Sequence, residues 1–342
     1  MHCTLLVPEL LPPPDPDGSP YDDLHVPALK RLLARAHCTT LDPIGVDAWL
    51  CTAFGVERQH DWPLAPLTLA LDGGDPGVAY WLRSDPVYLR MLRGQLLLAE
   101  SGMYAPTADE TRALIATLNE HFAPDNLAFQ APHPARWYLR VEHAPALVTQ
   151  SLADVIGRDI DRYLPAGNDG LRWHRILNEI QMLLHEHPVN QARETAGKPA
   201  LNSVWLWGGG VHPVARGSTF TKLWSDDALA LALAATNNIP ARPLPESAHP
   251  LVGAPAGDAG AQLIVLPQLR AAIHAGNSDH SRAILHALEK NWFAPLYSAL
   301  RHRRLTGLAL IVPGERYCRR YDITGGDSWK FWRPIRELRH YA

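Results

Sequence analysis

The densest group of side chains able to do chemistry lies between residues 185 and 210, in "HEHPVNQARETAGKPALNSVWLWGGG". Arg193 sits in a segment bounded by proline and glycine. Its guanidinium suits an anion through two parallel N–H donors, and a surface ion pair is the equal alternative. His185 and His187 are two apart, so a helix turns them to different faces and only extended backbone brings both to one metal. Histidines that are satisfied internally or face solvent are the other reading. Gly208, Gly209 and Gly210 follow an apolar run carrying Trp205 and Trp207. Glycines there mean that a ligand or another stretch of backbone comes very close, or that the chain turns sharply.

Other clusters carry less. "DGGDPG" at 72–77 lacks the spacing of a phosphate-cradling loop and reads as a turn. "HAGNSDHS" holds His274, Asp279 and His280, a candidate for a metal ligand or two, although chance proximity among 17 histidines explains it as well. Neither a GxSxG elbow nor an HExxH pair is present. From the residues alone no reaction follows.

These groups must be held by elements that the pattern outlines. "CTLLVPEL", "VAYWLRSDPVYLR", "RWYLRVEH", "AQLIVLPQL" and "LTGLALIVPG" read as strands, and so does "LTLALDGG". "PPPDPDGSP" is a loop by its proline and glycine content. "HVPALKRLLARA", "TADETRALIATLNEHF", "GLRWHRILNEIQMLLHEH", "SDDALALALAATNN" and "SDHSRAILHALEKNWFAPLYSALRHR" read as helices. Thr107 with Glu110 forms a capping-box pattern, and Ser225 is an N-cap candidate. Strand–helix alternation at both ends predicts an α/β core with a largely parallel sheet. The expected organisation is core in 1–90, an inserted cap in 91–202 and core again in 203–342. Apolar residues make up 46% and charged residues 20% of the chain, ordinary for a globular protein. A net charge of -3 suggests neither nucleic acid nor an anionic membrane as partner. Four cysteines without a CxxC pair, and an N-terminus lacking a signal-peptide pattern, point to a cytoplasmic protein.

The segment "HPVNQARETAGKPALNSVWLWGGG" resembles one in the cofactor-independent, archaeal-type phosphoglycerate mutases of the alkaline phosphatase superfamily. The matching residues are His187, Pro188, Asn190, Arg193, Gly197, Pro199, Asn202, Trp207, Gly208 and Gly210. The Trp-Gly-x-Gly form is similar to the branch containing mutase-like homoserine kinases. "HVPALKRLLARA", "YWLRSDPVYL" with Arg83, "MYAPTADETRALIATLNEHF" and "HALEKNWFAPLYSAL" resemble further family segments. The whole also looks like the bacterial RpfE-type regulatory proteins. The resemblance implies an alkaline-phosphatase-like, mostly parallel sheet flanked by helices, with an inserted cap. It also implies a ligand site built from Arg83, His187, Asn190, Arg193, Asn202 and Gly208 to Gly210.

Family mutases hold two divalent metals and a Ser or Thr nucleophile. Where their first strand ends in Asp-Gly, this chain has Pro8-Glu9, and where a late Asp-His is expected it has Gly314-Glu315. Glu9, His274, Asp279 and His280 are the remaining metal candidates, and Thr39, Thr40 and Thr52 the early hydroxyls. Loss of two ligands implies loss of phosphoryl transfer. The expectation is a pseudoenzyme that binds a small phosphorylated or anionic metabolite in a regulatory role, with no cofactor and an unidentified protein partner. One alternative is an active metal-dependent phosphomutase, which needs zinc or manganese. Another is a protein-interaction scaffold.

Overall fold

The computed structural model describes residues 1–11, 21, 23–92, 94–99, 103–252, 260–274, 276–314 and 316–341. The expected loop "PPPDPDGSP" and Glu315 lie outside them. In chain order the early strands are β1 (His2–Leu6), β2 (His37–Leu41), β3 (Tyr80–Val87), β4 (Leu89–Leu92), β5 (Gln95–Leu98) and β6 (Ala128–His133). There follow β7 (Arg136–Val141), β8 (Ser203–Gly210), β9 (Phe220–Trp224), β10 (Ala241–Arg242), β11 (Ala261–Val265), β12 (Gly307–Val312) and β13 (Cys318–Thr324). The chain divides into two compact units, Met1–Gly55 with Arg216–Ala342, and Val56–Ala215.

The two-segment unit holds a sheet in the order β10-β9-β11-β1-β12-β13-β2. From β10 to β12 every pairing is parallel, and β13 and β2 add antiparallel at one edge. β12 is apolar and buried throughout, and β1 is buried from Cys3 to Leu6, as strands covered on both faces must be. The helix Pro27–Arg35 buries Ala28, Leu29, Leu32 and Leu33 against the same core as Leu5, Ile264 and Leu310.

That helix starts at Val26, which has no capping side chain. Its cap arrives from 260 residues away in sequence: buried Glu289 accepts the Ala28 N–H (2.6 Å) and the Leu29 N–H (3.0 Å). Glu289 opens a π-helical turn, Glu289–Phe293, inside the long C-terminal helical stretch. A carboxylate at a helix N-terminus satisfies open donors and complements the dipole. Glu289→Ala, which strands both donors, is expected to lower unfolding stability by about 2–3 kcal/mol. Glu289→Gln should lose less; urea melts of the two variants measure it, and equal losses would contradict the capping role.

The single-segment unit carries an antiparallel sheet, β6-β7-β3-β8, and the separate hairpin β4-β5. Its core joins Leu114, Leu118 and Phe122 of the helix Ala108–Phe122 with Trp173, Ile180 and Trp205. Thr107 and Glu110 form the expected capping box.

Three sequence expectations differ from the structure. The boundaries expected at 90/91 and 202/203 fall instead at 55/56 and 215/216. β3 and β8 pair with each other along their length, and β3 also pairs with β7, so both belong to the middle unit. "LTLALDGG" is a helix, Leu64–Leu71, buried on nearly every side. A short unbroken apolar run has no period to separate helix from strand. In "SDDALALALAATNN" the cap is Asp227, whose side chain accepts the Ala230 N–H, rather than Ser225.

Candidate functional site

The Trp-Gly stretch is β-strand to its last glycine. In the β3–β8 register Trp81 faces Gly210 and Arg83 faces Trp207, so the strand carries a bulge at Gly208-Gly209. Gly208 has φ +64, a conformation that side chains strain to reach. The space beside these glycines is filled by protein. A Cβ on Gly208 would stand 2.9 Å from Leu64 Cβ, and one on Gly210 would stand 2.5 Å from Pro63 Cβ. A Cβ on Gly209 would meet the Tyr80 hydroxyl at 2.5 Å. The close approach expected of a ligand is made by the start of the helix Leu64–Leu71. The Gly208 N–H donates to Thr149 Oγ1 (3.1 Å), and the Thr149 hydroxyl donates to Asp61. Burial raises the Asp61 carboxyl above its usual range.

Arg83 is buried in a cage of its own. Its Nε and Nη2 donate to Asp85 Oδ1 at 3.1 and 2.7 Å, Nη2 also reaches Oδ2 at 2.9 Å, and Nη1 donates to Thr68 Oγ1 at 3.1 Å. The guanidinium lies between the rings of Tyr138 and Trp207, 5.2 and 5.1 Å from their centroids. Asp85 also accepts the Trp137 backbone N–H (3.2 Å) and the Trp207 indole N–H (2.8 Å). Next to it, Asp72 takes hydrogen bonds from Arg136 and from the Tyr138 hydroxyl. Burial pushes the Asp72 carboxyl up, but those bonds outweigh it and hold it below its ordinary value.

Arg193 is likewise consumed. Nε donates to the Pro199 carbonyl, Nη1 to Glu110 Oε2 and Nη2 to the Tyr104 carbonyl, each at 2.8 Å. Asn190 bridges the Leu184 and Leu201 carbonyls and accepts the Leu201 N–H. His187 caps the helix Pro188–Thr195: Nδ1 accepts the Val189 N–H at 3.1 Å, which leaves the proton on Nε2, 3.1 Å from Thr117 Oγ1. Burial lowers its pKa, keeping the ring neutral. Asn202 exchanges two hydrogen bonds with the backbone of Leu89. The residues expected to share one pocket are thus distributed over separate networks. Arg193, Asn190 and His187 tie loop to helix, Asn202 ties β8 to β4, and Arg83 pairs with Asp85.

In the two-segment unit, Glu9 follows β1 with φ +59, and its Oε1 lies 3.3 Å from His274 Nε2. Asp279 and His280 are exposed in the first turn of the helix Ser278–Leu288 and do not join that pair. Among the described residues no three His, Cys, Asp or Glu side chains converge as a metal set. Of the hydroxyl candidates, Thr39 and Thr40 lie on edge strand β2, and Thr52 donates within its own helix to Ala48. No helix among the described residues is long and apolar enough to cross a membrane.

No family model matches this sequence. It is 31% identical over 162 residues to the 2,3-bisphosphoglycerate-independent phosphoglycerate mutase of Methanosarcina mazei, covering 45% of this chain and 39% of that protein. The protein of the same name from Methanosarcina barkeri is 30% identical over 151 residues, 42% of this chain and 37% of its own length. A third from Methanothrix thermoacetophila is 40% identical over 60 residues, 18% of this chain and 15% of its own. These matches span at most about two fifths of those relatives. Among solved structures, the cofactor-independent phosphoglycerate mutase from Thermoplasma acidophilum aligns with 100% of this chain and 94% of its own, with TM-score 0.52 and 14% identity. The PH0037 protein from Pyrococcus horikoshii aligns with 94% of this chain and 87% of its own, with TM-score 0.59 and 12% identity. The chain thus has the alkaline-phosphatase-like fold of the cofactor-independent phosphoglycerate mutases and is related to them in sequence over part of its length.

Proposed function

We propose that this chain is a phosphoglycerate-mutase-like protein that no longer transfers phosphoryl groups and acts in regulation by binding a small phosphorylated or anionic metabolite. The observation that carries this reading is the donor set beyond β1. There, among the described residues, the Glu9 carboxylate meets the His274 imidazole and no third His, Cys, Asp or Glu joins them as a metal set. Two divalent ions about 3.5–4 Å apart need several anionic ligands to hold them. One Glu and one His do not fit that centre, and the described residues beyond β1 bring no further carboxylate to hold the metals that would balance the charge of a transferring phosphoryl group. Kinship to proteins named as mutases supports the class of ligand. The alternative is an active metal-dependent phosphomutase of the 2,3-bisphosphoglycerate-independent type. It rests on the same names and takes the Glu9–His274 pair as part of a working site.

Elemental analysis of the purified protein, a mutase assay with and without chelator, and titration with 3-phosphoglycerate separate these readings. The expected result is no stoichiometric zinc or manganese, no turnover, and saturable binding of a phosphorylated acid. Turnover that a chelator abolishes establishes the alternative. Absence of both turnover and binding leaves a protein-interaction scaffold.

A further inference from the structure

At the antiparallel edge of the seven-stranded sheet a cleft of about 360 Å³ opens between the helix Pro27–Arg35, strands β2 and β13, and residues 333–341. Its cationic lining is Arg319, Arg333 and Arg336, with His340, Cys38 and Tyr321 beside them and no carboxylate among the described lining residues. The concentration of charge is local. Residues 301–342 carry ten Lys and Arg against four Asp and Glu, in a chain whose net charge is -3.

Of those four acids, Glu315 is outside the described residues and the others are engaged elsewhere. Asp322 pairs with Arg320, Asp327 with Lys330 and Glu337 with Lys30. Arg333 is held in place by neutral groups: its Nη1 donates to the carbonyls of Arg35 (3.2 Å) and Ala36 (2.8 Å). Among the described residues it has no carboxylate partner, and neither has the exposed Arg336. The backbone carrying Arg336 is fixed too. Its N–H donates to the Tyr341 hydroxyl (3.1 Å), and the Tyr341 carbonyl accepts the buried Tyr321 hydroxyl (2.7 Å).

Like charges on flexible side chains normally spread into solvent. Here one guanidinium is anchored by main-chain carbonyls and another rises from a tied backbone, so both are held beside the cleft. A concave, one-signed lining focuses potential and concentrates anions. Planar guanidinium forks match the oxygens of phosphate in pairs. The volume is at the lower end of small-molecule sites, roughly 300–1,000 Å³.

We infer that this cleft binds a small, multiply charged phosphate-bearing anion. The site is distinct from the Glu9–His274 pair, and the inference stands whether or not phosphoryl transfer has been lost.

The cleft contains its own reporter. Cys38 is the exposed cysteine, whereas Cys3, Cys51 and Cys318 are buried. Burial pushes the Cys3 thiol up to about 12 and raises those of Cys51 and Cys318. A thiol reagent applied to the native full chain therefore reads Cys38. Inorganic pyrophosphate should slow that labelling by about tenfold at saturation and should bind measurably in calorimetry below roughly 1 mM. Arg336→Ala, at an exposed position, should weaken pyrophosphate about tenfold. Arg304→Ala removes the same charge from an exposed position outside the cleft and should change affinity less than about twofold. Circular dichroism of both variants checks that the fold is kept. Unchanged Cys38 labelling with no binding heat at roughly millimolar pyrophosphate would overturn the inference. Equal losses in the two variants would overturn it as well, since the attraction would then be diffuse. Affinity for vesicles of phosphatidylcholine with phosphatidic acid, without affinity for pyrophosphate, would make the surface a lipid contact and overturn the soluble ligand.

Discussion

Asp85→Ala is expected to destabilise the Val56–Ala215 unit by about 3–5 kcal/mol, the range for breaking a buried ion pair from one side. Asp85 is 1% exposed and Arg83 5% exposed, so neither partner has water to fall back on. The carboxylate also accepts the Trp137 backbone N–H and the Trp207 indole, and the alanine strands those donors together with the guanidinium. The double variant Arg83→Met, Asp85→Ala removes the orphaned charge and should recover a large part of the loss. Urea unfolding followed by tryptophan fluorescence reads both, because Trp137 and Trp207 belong to the cage. A single-variant loss under about 1 kcal/mol, or no recovery in the double, would mean that the pair is not what holds β3 to β7 and β8.

Arg193→Ala should cost stability of similar size, about 3–5 kcal/mol, and leave anion affinity unchanged. Its three donors go to Pro199, Glu110 and Tyr104 with 3% of the residue exposed, so no fork remains for a ligand. The Glu110 carboxylate that receives it also accepts the Thr107 N–H, so the substitution loosens the start of the helix Ala108–Phe122 as well. Lysine keeps the charge near Glu110 but cannot reach three acceptors from one plane, and its loss should be intermediate. Paired melts and phosphate-ester titrations of wild type, Lys and Ala variants test this. A variant that keeps its stability and loses affinity would return Arg193 to a binding role.

The two arginines show where the sequence was legible and where it was not. Residue type and local setting marked Arg193, and the resemblance to the mutase segments marked Arg83. Guanidinium chemistry is the same toward a ligand phosphate and toward a carbonyl, however, and only tertiary contacts decide which it meets. The Arg-x-Asp spacing of 83 and 85 places both side chains on one face of a strand, a signal that was available once β3 was assigned. Glu289 had no such signal, because its partners lie 260 and 261 residues away. Strands with flanking turn residues, such as β1, β11 and β12, were read from pattern alone. The helix Leu64–Leu71 was not, since a helix buried from Leu64 to Leu69 lacks the polar face that gives it a period. The glycine run left a close approach and a sharp turn open, and the resemblance implied a ligand; the groups found against the glycines are Leu64, Pro63 and Tyr80. In the two-segment unit the arginine cleft has no local sequence signal, because residues 33–38 meet 319–321 and 333–341 only in the folded chain.

The order of the sheet has a consequence for how the chain emerges during synthesis. β1 is a central strand, yet its neighbours begin at Ala261 and Gly307, about 260 and 305 residues later. The Val56–Ala215 unit, one uninterrupted stretch, has all its strands available long before then. Nascent β1, with Leu5 and Leu6 destined for full burial, therefore waits with open edges while another unit folds behind it. Slow translation past residue 215 lengthens that exposure, which makes the first strand the point at which a chaperone has most to protect.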